Sequence, residues 1–358
     1  MAQKITHWLL IAIVLSLGFG QLLRLSYLGQ SFYIHDIMVV TILLLNVSQL
    51  KSFFNFAVLR IFFIGLIISS LYAITNYQLA SLLTPSLYLA RLMSYLFLYF
   101  VYKNSQLNIP RSAFYLSGII TIIIGITQYL FMPDMRWAYY LGWDDHLSRL
   151  VLPHFDPTFS AAMTSMFLLI LPKIYSSQNV LVGILSLLTI LLSYSRSTWL
   201  SLSATGIYFI RRKSLLVLAL IVLFLGISLL PKRFGEGTNI LRVFSISSRI
   251  NSDKDYLSKY GSKILTGVGL NTFAITHSPQ IYDNHAVSPN NSYLYILLTT
   301  GLFGFVGWTK FLFNLYKNST HKEMLVFFFI ASLFNNVMFY PFALIWVLLI
   351  EARAPSAT

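Results

Sequence analysis

Arg196 lies within Ser193-Tyr194-Ser195-Arg196-Ser197-Thr198-Trp199-Leu200, a run of hydroxyls and one guanidinium between two apolar stretches. A guanidinium offers planar, bidentate recognition of phosphate. Neighbouring serines and the N-terminus of a following helix would add donors to such an anion site. The competing reading is a headgroup contact or a helix cap. Three further polar groups interrupt apolar sequence: Arg149 through His154 and Asp156 to Ser160; Ser247-Ser248-Arg249 followed by Gly267-Val268-Gly269; and Asn290-Asn291 leading to Gly301 and Gly304. Arg60 and Arg91 fall inside apolar runs, where a charge costs at least about 2.5–3.5 kcal/mol and must pair, face a cavity or snorkel. For Arg91, six residues after Pro85, a polar cavity is the functional reading. Asp253-Lys254-Asp255 has the spacing of a metal-binding DxD triplet, though solvated loop acids are the better reading of it and of Asp144-Asp145. His35, His146, His154, His277 and His285 could each act as a base near neutral pH. His35 is favoured slightly by the adjacent Asp36.

The elements that must position these groups are apolar. Of 358 residues, 57% are hydrophobic and 10% charged. That suffices for roughly ten spanning helices of about 20 residues each. A soluble enzyme is excluded, and long apolar blocks exclude the alternating strands of a membrane β-barrel. The absence of cysteine excludes disulfides, thiolate metal sites and cysteine nucleophiles. Spans are expected near 8–23, 35–50, 55–74, 85–102, 113–132, 158–175, 179–195, 198–210, 214–230, 291–314 and 323–350. The last is long and contains Pro341, so the total is eleven or twelve. The expectation is an all-α polytopic membrane protein, one integral domain over 1–358, with a long loop at 231–290 and a shorter one at 133–157.

The net charge of +14 is topological rather than a signal for nucleic acid. With the N-terminus in the cytoplasm, eleven Lys and Arg residues fall on the cytoplasmic side, among them Lys4, Lys103, Arg111 and Lys322. Four, Arg24, Arg136, Arg149 and Arg196, fall on short outer loops. Both long loops and the turn at Arg196 then face outward.

These motifs resemble the O-antigen ligase and polymerase superfamily, which joins lipid-linked glycans on the outer face of the bacterial inner membrane. Ser195 to Leu200 is similar to its Ser-Arg-Ser turn, and Arg149 to Ser160 to its arginine-led Pro-Asn-Phe-Ala stretch. Arg249 with Gly267, Gly269 and Phe273 resembles its loop arginine and Gly-x-Gly-x-x-x-Phe. Asn290-Asn291, nine residues, then Gly301-x-x-Gly304 matches the spacing of the ligase signature His-Asn-x9-Gly-x-x-Gly. The first histidine is here Asn290, which cannot take a proton. This leans away from a lipid A-core ligase and toward a polymerase; His285 stands five residues upstream as a substitute.

The resemblance implies an inverting, metal-independent and cofactor-free glycosyltransferase. The donor would be a glycan on undecaprenyl diphosphate and the acceptor a hydroxyl of another lipid-linked repeat unit, as in O-antigen, capsule or exopolysaccharide synthesis. Arg196 and Arg249, with Asn290 and His285, are the expected catalytic residues. Arg149, Arg196, Arg249 and, less strongly, Arg91 would hold the diphosphate, whose charge calls for positive stabilisation. Expected partners are these glycan lipids, membrane lipid and a chain-length regulator, with no nucleic acid. The alternatives are a ligase passing a finished glycan to another acceptor, and a flippase. A flippase calls for related halves and a polar midplane path, and the sequence has no internal repeat.

Overall fold

Backbone N–H and C=O groups find no partner in lipid, so each apolar run must satisfy them within itself and becomes a helix. The structure, a computed structural model, describes residues 2–27, 30–174, 180–210, 213–231, 238–239, 244–276 and 288–352. Its helices are α1 (Ala2–Leu17), α2 (Ile34–Leu45), the short α3 (Leu50–Phe54), α4 (Arg60–Asn76), α5 (Leu83–Asn104), α6 (Arg111–Phe131), α7 (Pro157–Ile174) and α8 (Val180–Leu192). They continue with α9 (Arg196–Phe209), α10 (Lys213–Leu229), α11 (Phe244–Tyr260), the one-turn α12 (Phe273–Thr276), α13 (Ser292–Asn318), α14 (Lys322–Phe334) and α15 (Pro341–Ala352). One antiparallel hairpin, β1 (Arg24–Tyr27) and β2 (Gln30–Tyr33), joins α1 to α2.

The chain is an all-α polytopic membrane protein. Helices α6 and α13 are each long and apolar enough to cross a membrane alone, and α2 with the segment to Phe54 forms a third candidate bent by 72°. Each of the eleven expected apolar stretches holds a helix. The last is divided: α14 ends at Phe334, and a 3-10 turn at Val337–Phe339 precedes Pro341, which starts α15. Proline is tolerated there because a first-turn N–H has no helical partner.

Two expectations need correction. Arg60 is the exposed first residue of α4, at a helix end and not inside a span. Within 231–290, read as a loop, lies the 17-residue helix α11. Tyr256 and Tyr260, one turn apart, pack on Phe273 at centroid distances of 4.9 and 5.0 Å, and Phe273 packs on Tyr295 of α13 at 6.1 Å. Aromatic contacts of this kind contribute about 0.5–1.5 kcal/mol each beyond area burial, and they dock α11 on the bundle.

Two features organise the interior. Helix α15 is apolar around its whole circumference from Phe342 to Ile350, all of them buried, with Glu351 in its last turn. A helix of that composition belongs at the centre of a bundle, and α15 packs on α1, α5 and α7. Helix α13 packs along α4, where Gly65 meets Gly304 and Gly307 meets Phe62 so closely that any added Cβ would overlap the opposing backbone. Small residues let membrane helices approach this way.

Inside α13 the helix breaks at Gly301 (φ 71°, ψ −176°). The break frees carbonyls that an unbroken helix would occupy. The Val268 N–H donates to Leu298 O at 3.0 Å and the Gly269 N–H to Thr299 O at 2.9 Å. Gly267 (φ 72°) and Gly301 press together there, with Cβ positions that would lie within 2.5 Å of the opposing backbone. The spaced glycines of the sequence thus stitch the segment after α11 into the broken helix.

Candidate functional site

Hydrogen bonds gather the α7, α9 and α13 N-termini and the α8 and α14 C-termini at one end of the bundle. The Leu150 N–H donates to Leu192 O at 2.9 Å, the Ser292 hydroxyl to Asn335 O at 3.1 Å and the Asn335 amide to Ser197 Oγ at 2.9 Å. At this end lies a cavity of about 370 Å³ whose lining includes Arg149, Arg196, Arg249, Asp253 and Asn290. Arginines far apart in sequence share it: Arg196 opens α9, Arg249 lies in the second turn of α11, and Arg149 lies in the segment that leads into α7.

Each arginine is held by its local fold. Arg149 is buried, and its Nε donates to Ser193 O at 3.0 Å. Gln128 of α6 fixes the segment around it, donating to Arg149 O at 3.2 Å and accepting the Val151 N–H at 2.8 Å. Arg196 opens α9 after Tyr194, whose φ of 54° makes the sharp turn out of α8. The Trp199 indole donates to Ile190 O at 3.0 Å and clamps that turn. Arg249, on α11, donates from Nη1 to Phe334 O at 3.2 Å. Burial lowers its pKa; Asp156 opposes this and Arg196 reinforces it. A guanidinium remains charged regardless.

The helix ends around the cavity differ. Asp156 Oδ1 accepts the Thr158 and Phe159 N–H groups at 2.6 and 2.9 Å, capping α7. Asn291 Oδ1 accepts those of Tyr293 and Leu294 at 2.9 and 3.2 Å, capping α13. Ser195, before α9, makes no such cap; its hydroxyl instead meets Thr198 Oγ1 at 2.8 Å. An uncapped helix N-terminus beside three arginines presents donors and positive charge to an anion. The outer parts of the lining are apolar: Leu200, Ile250 and Leu333 are each about half exposed.

Asn290 lines the cavity, and its N–H donates to Asp253 Oδ1 at 3.2 Å. His285 and His277 lie outside the described residues. Arg91 joins a different cluster. It pairs with Asp36 at 2.9 Å, donates to Ser31 O at 2.5 Å and lies over the rings of Tyr33 and Tyr88. Tyr95 donates to Asp36 as well. This arrangement fastens β2 and α2 to α5 beside a smaller cavity of about 150 Å³. His35 is buried in the same cluster, 3.2 Å from Tyr95 Oη.

Asp253 is the residue the sequence reading passed over. The triplet Asp253-Lys254-Asp255 lies on a helix, where residues two apart point about 200° from each other. Asp253 faces the cavity and Asp255 is exposed, so the two do not converge as a metal pair. The usable signal was Arg249 and Asp253 at i and i+4, which share one helix face. Among the described residues no group of three or more His, Asp or Glu side chains gathers as metal ligands.

A polytopic helical membrane protein with a basic cavity at one end of its bundle is the class that fold and site define. Residues 181–309, from α8 into α13, match the O-antigen ligase family. The match spans Arg196, Arg249 and Asn290 and supports the O-antigen ligase and polymerase superfamily, whose members join glycans. No curated protein matches the chain.

Proposed function

We propose that the protein polymerises glycan repeat units carried on undecaprenyl diphosphate, at the outer face of the cytoplasmic membrane. The observation that carries this reading is the meeting of Arg149, Arg196 and Arg249 around one cavity. Three guanidiniums beside an uncapped helix end suit a diphosphate leaving group, which needs charge stabilisation more than a proton. The half-exposed Leu200, Ile250 and Leu333 suit a polyprenyl tail that stays in lipid while its diphosphate enters sideways. The basic residues at the other ends of the helices, Lys103, Arg111, Lys317 and Lys322, favour a cytoplasmic placement of that side and hence an outward cavity. Asn290 in place of a histidine favours polymerisation over ligation.

The test is purified protein in liposomes, with undecaprenyl diphosphate-linked repeat units as the sole substrate. The wild type is expected to build a ladder of glycan lengths on the lipid, and Arg196→Ala to lose it. No ladder from folded wild-type protein would remove self-polymerisation and leave ligation to a different acceptor, to be sought by offering other acceptors. A ladder undiminished in Arg196→Ala would remove the anion-site reading.

A further inference from the structure

Glycosyl transfer to a sugar hydroxyl needs a group that takes the hydroxyl proton as the oxygen attacks. The arginines of the cavity carry no acceptor site for it, and an asparagine amide does not bind it near neutral pH. Among the described lining residues the carboxylate is Asp253. It stands one helical turn after Arg249, on the same face of α11, so it is held where the guanidinium meets the cavity. The Asn290 N–H anchors Oδ1 at 3.2 Å and fixes the carboxylate's direction. The docking of Tyr256 and Tyr260 on Phe273 keeps this helix from drifting.

We propose that Asp253 is the general base of the transfer, receiving the proton of the acceptor sugar hydroxyl. The inference rests on the glycan-transfer reading of the cavity. The acceptor O–H bond breaks and its proton passes to the Asp253 carboxylate. The acceptor oxygen forms the new bond to the donor's anomeric carbon from the face opposite the diphosphate. The bond from that carbon to the diphosphate oxygen breaks, and its electron pair leaves with undecaprenyl diphosphate, whose charge the arginines meet. Burial raises the Asp253 pKa, against the Asn290 and Asn291 N–H groups and the Arg249 charge, which lower it. A more basic carboxylate is the better proton acceptor. The other charged groups around it are Arg196 and Arg149 in the cavity lining and Asp156 at the start of α7.

Asp253→Asn keeps an oxygen for the Asn290 N–H and removes the basicity. In liposomes with undecaprenyl diphosphate-linked oligosaccharide it is expected to lower kcat by about 10²–10⁴-fold. Binding of undecaprenyl diphosphate itself should be unchanged. Azide attacks without losing a proton, so Asp253→Ala supplied with azide is expected to consume donor again and yield a glycosyl azide. Wild-type turnover in Asp253→Asn would overturn the assignment. So would a slow Asp253→Ala that azide does not revive, or a parallel loss of undecaprenyl diphosphate binding, either of which makes the residue structural. Arg196→Ala, run alongside, separates the two ideas. If it keeps full activity, the reading of the cavity fails; if it is inactive while Asp253→Asn is not, the base assignment alone fails.

Discussion

Replacing Gly301 by alanine tests the join between the broken helix and the segment that follows α11. At φ 71° and ψ −176° the residue occupies a region that is essentially glycine's own, and holding another residue there costs about 1–3 kcal/mol. The new Cβ would lie 2.5 Å from Leu265 O, 2.7 Å from Thr266 C and 2.8 Å from Gly267 N. All three are backbone atoms, so no side chain can swing aside. Relief requires the 265–269 segment to back away, which weakens the Val268 and Gly269 hydrogen bonds, each contributing about 1 kcal/mol. The combined loss is about 3–5 kcal/mol. Because the same segment follows α11, its displacement should also shift Arg249 and Asp253 and lower glycan transfer. The assay is detergent-induced unfolding of the purified protein, followed by tryptophan fluorescence. Gly183→Ala in α8 is the control, since its Cβ meets nothing within 4 Å. Within a helix that change should gain about 0.5–1 kcal/mol. Equal stability of the Gly301 and Gly183 variants would refute the account of the break.

Gln128→Leu removes the amide that pairs with Arg149 O, Met132 O and the Val151 N–H. Orphaned buried groups cost about 1–3 kcal/mol each; a measurable fall in unfolding midpoint and weaker undecaprenyl diphosphate binding are expected, and wild-type values for both would contradict the role given to Gln128. His154 is fully buried against Tyr340, and burial lowers its pKa from 6.5 to about 3. Between those values the unfolded chain binds a proton that the folded one does not, so stability falls as pH drops from 6.5 toward 3. The slope from this group approaches about 1.4 kcal/mol per pH unit. Melting temperatures of wild type and His154→Phe across that range should diverge in slope, and parallel curves would count against the reasoning.

Apolar length made the helices legible, because lipid leaves the backbone a single solution for each run. Pro341 marked the division of the last run for a reason equally local. Helix α11 left a weaker trace: its polar composition resembles a loop, and helical period survives in a few spacings such as Ile246–Ile250, Arg249–Asp253 and Tyr256–Tyr260. Arg91 was legible as an anomaly but its partner was not, since Asp36 lies on another helix and only packing brings the two to 2.9 Å. Asp253 was hidden by the loop reading of 231–290: two acids two residues apart there read as solvated, and only the helix shows that they point different ways. The convergence of three arginines depends on which helix ends meet, and no local pattern in the sequence records that.

The central position of α15 bears on how the molecule is made. It follows every other described helix in the chain, so α1, α5 and α7 are already in the membrane when it is synthesised. Until then the space it fills between them is open to lipid or closed by a looser arrangement. Delivery of α15 must therefore part helices that have already packed, or reach them while they still stand apart. The bundle acquires this middle after those walls, and the orientation of the Arg149 segment, held between α6 and the buried His154–Tyr340 contact just before α15, is settled only once α15 has packed.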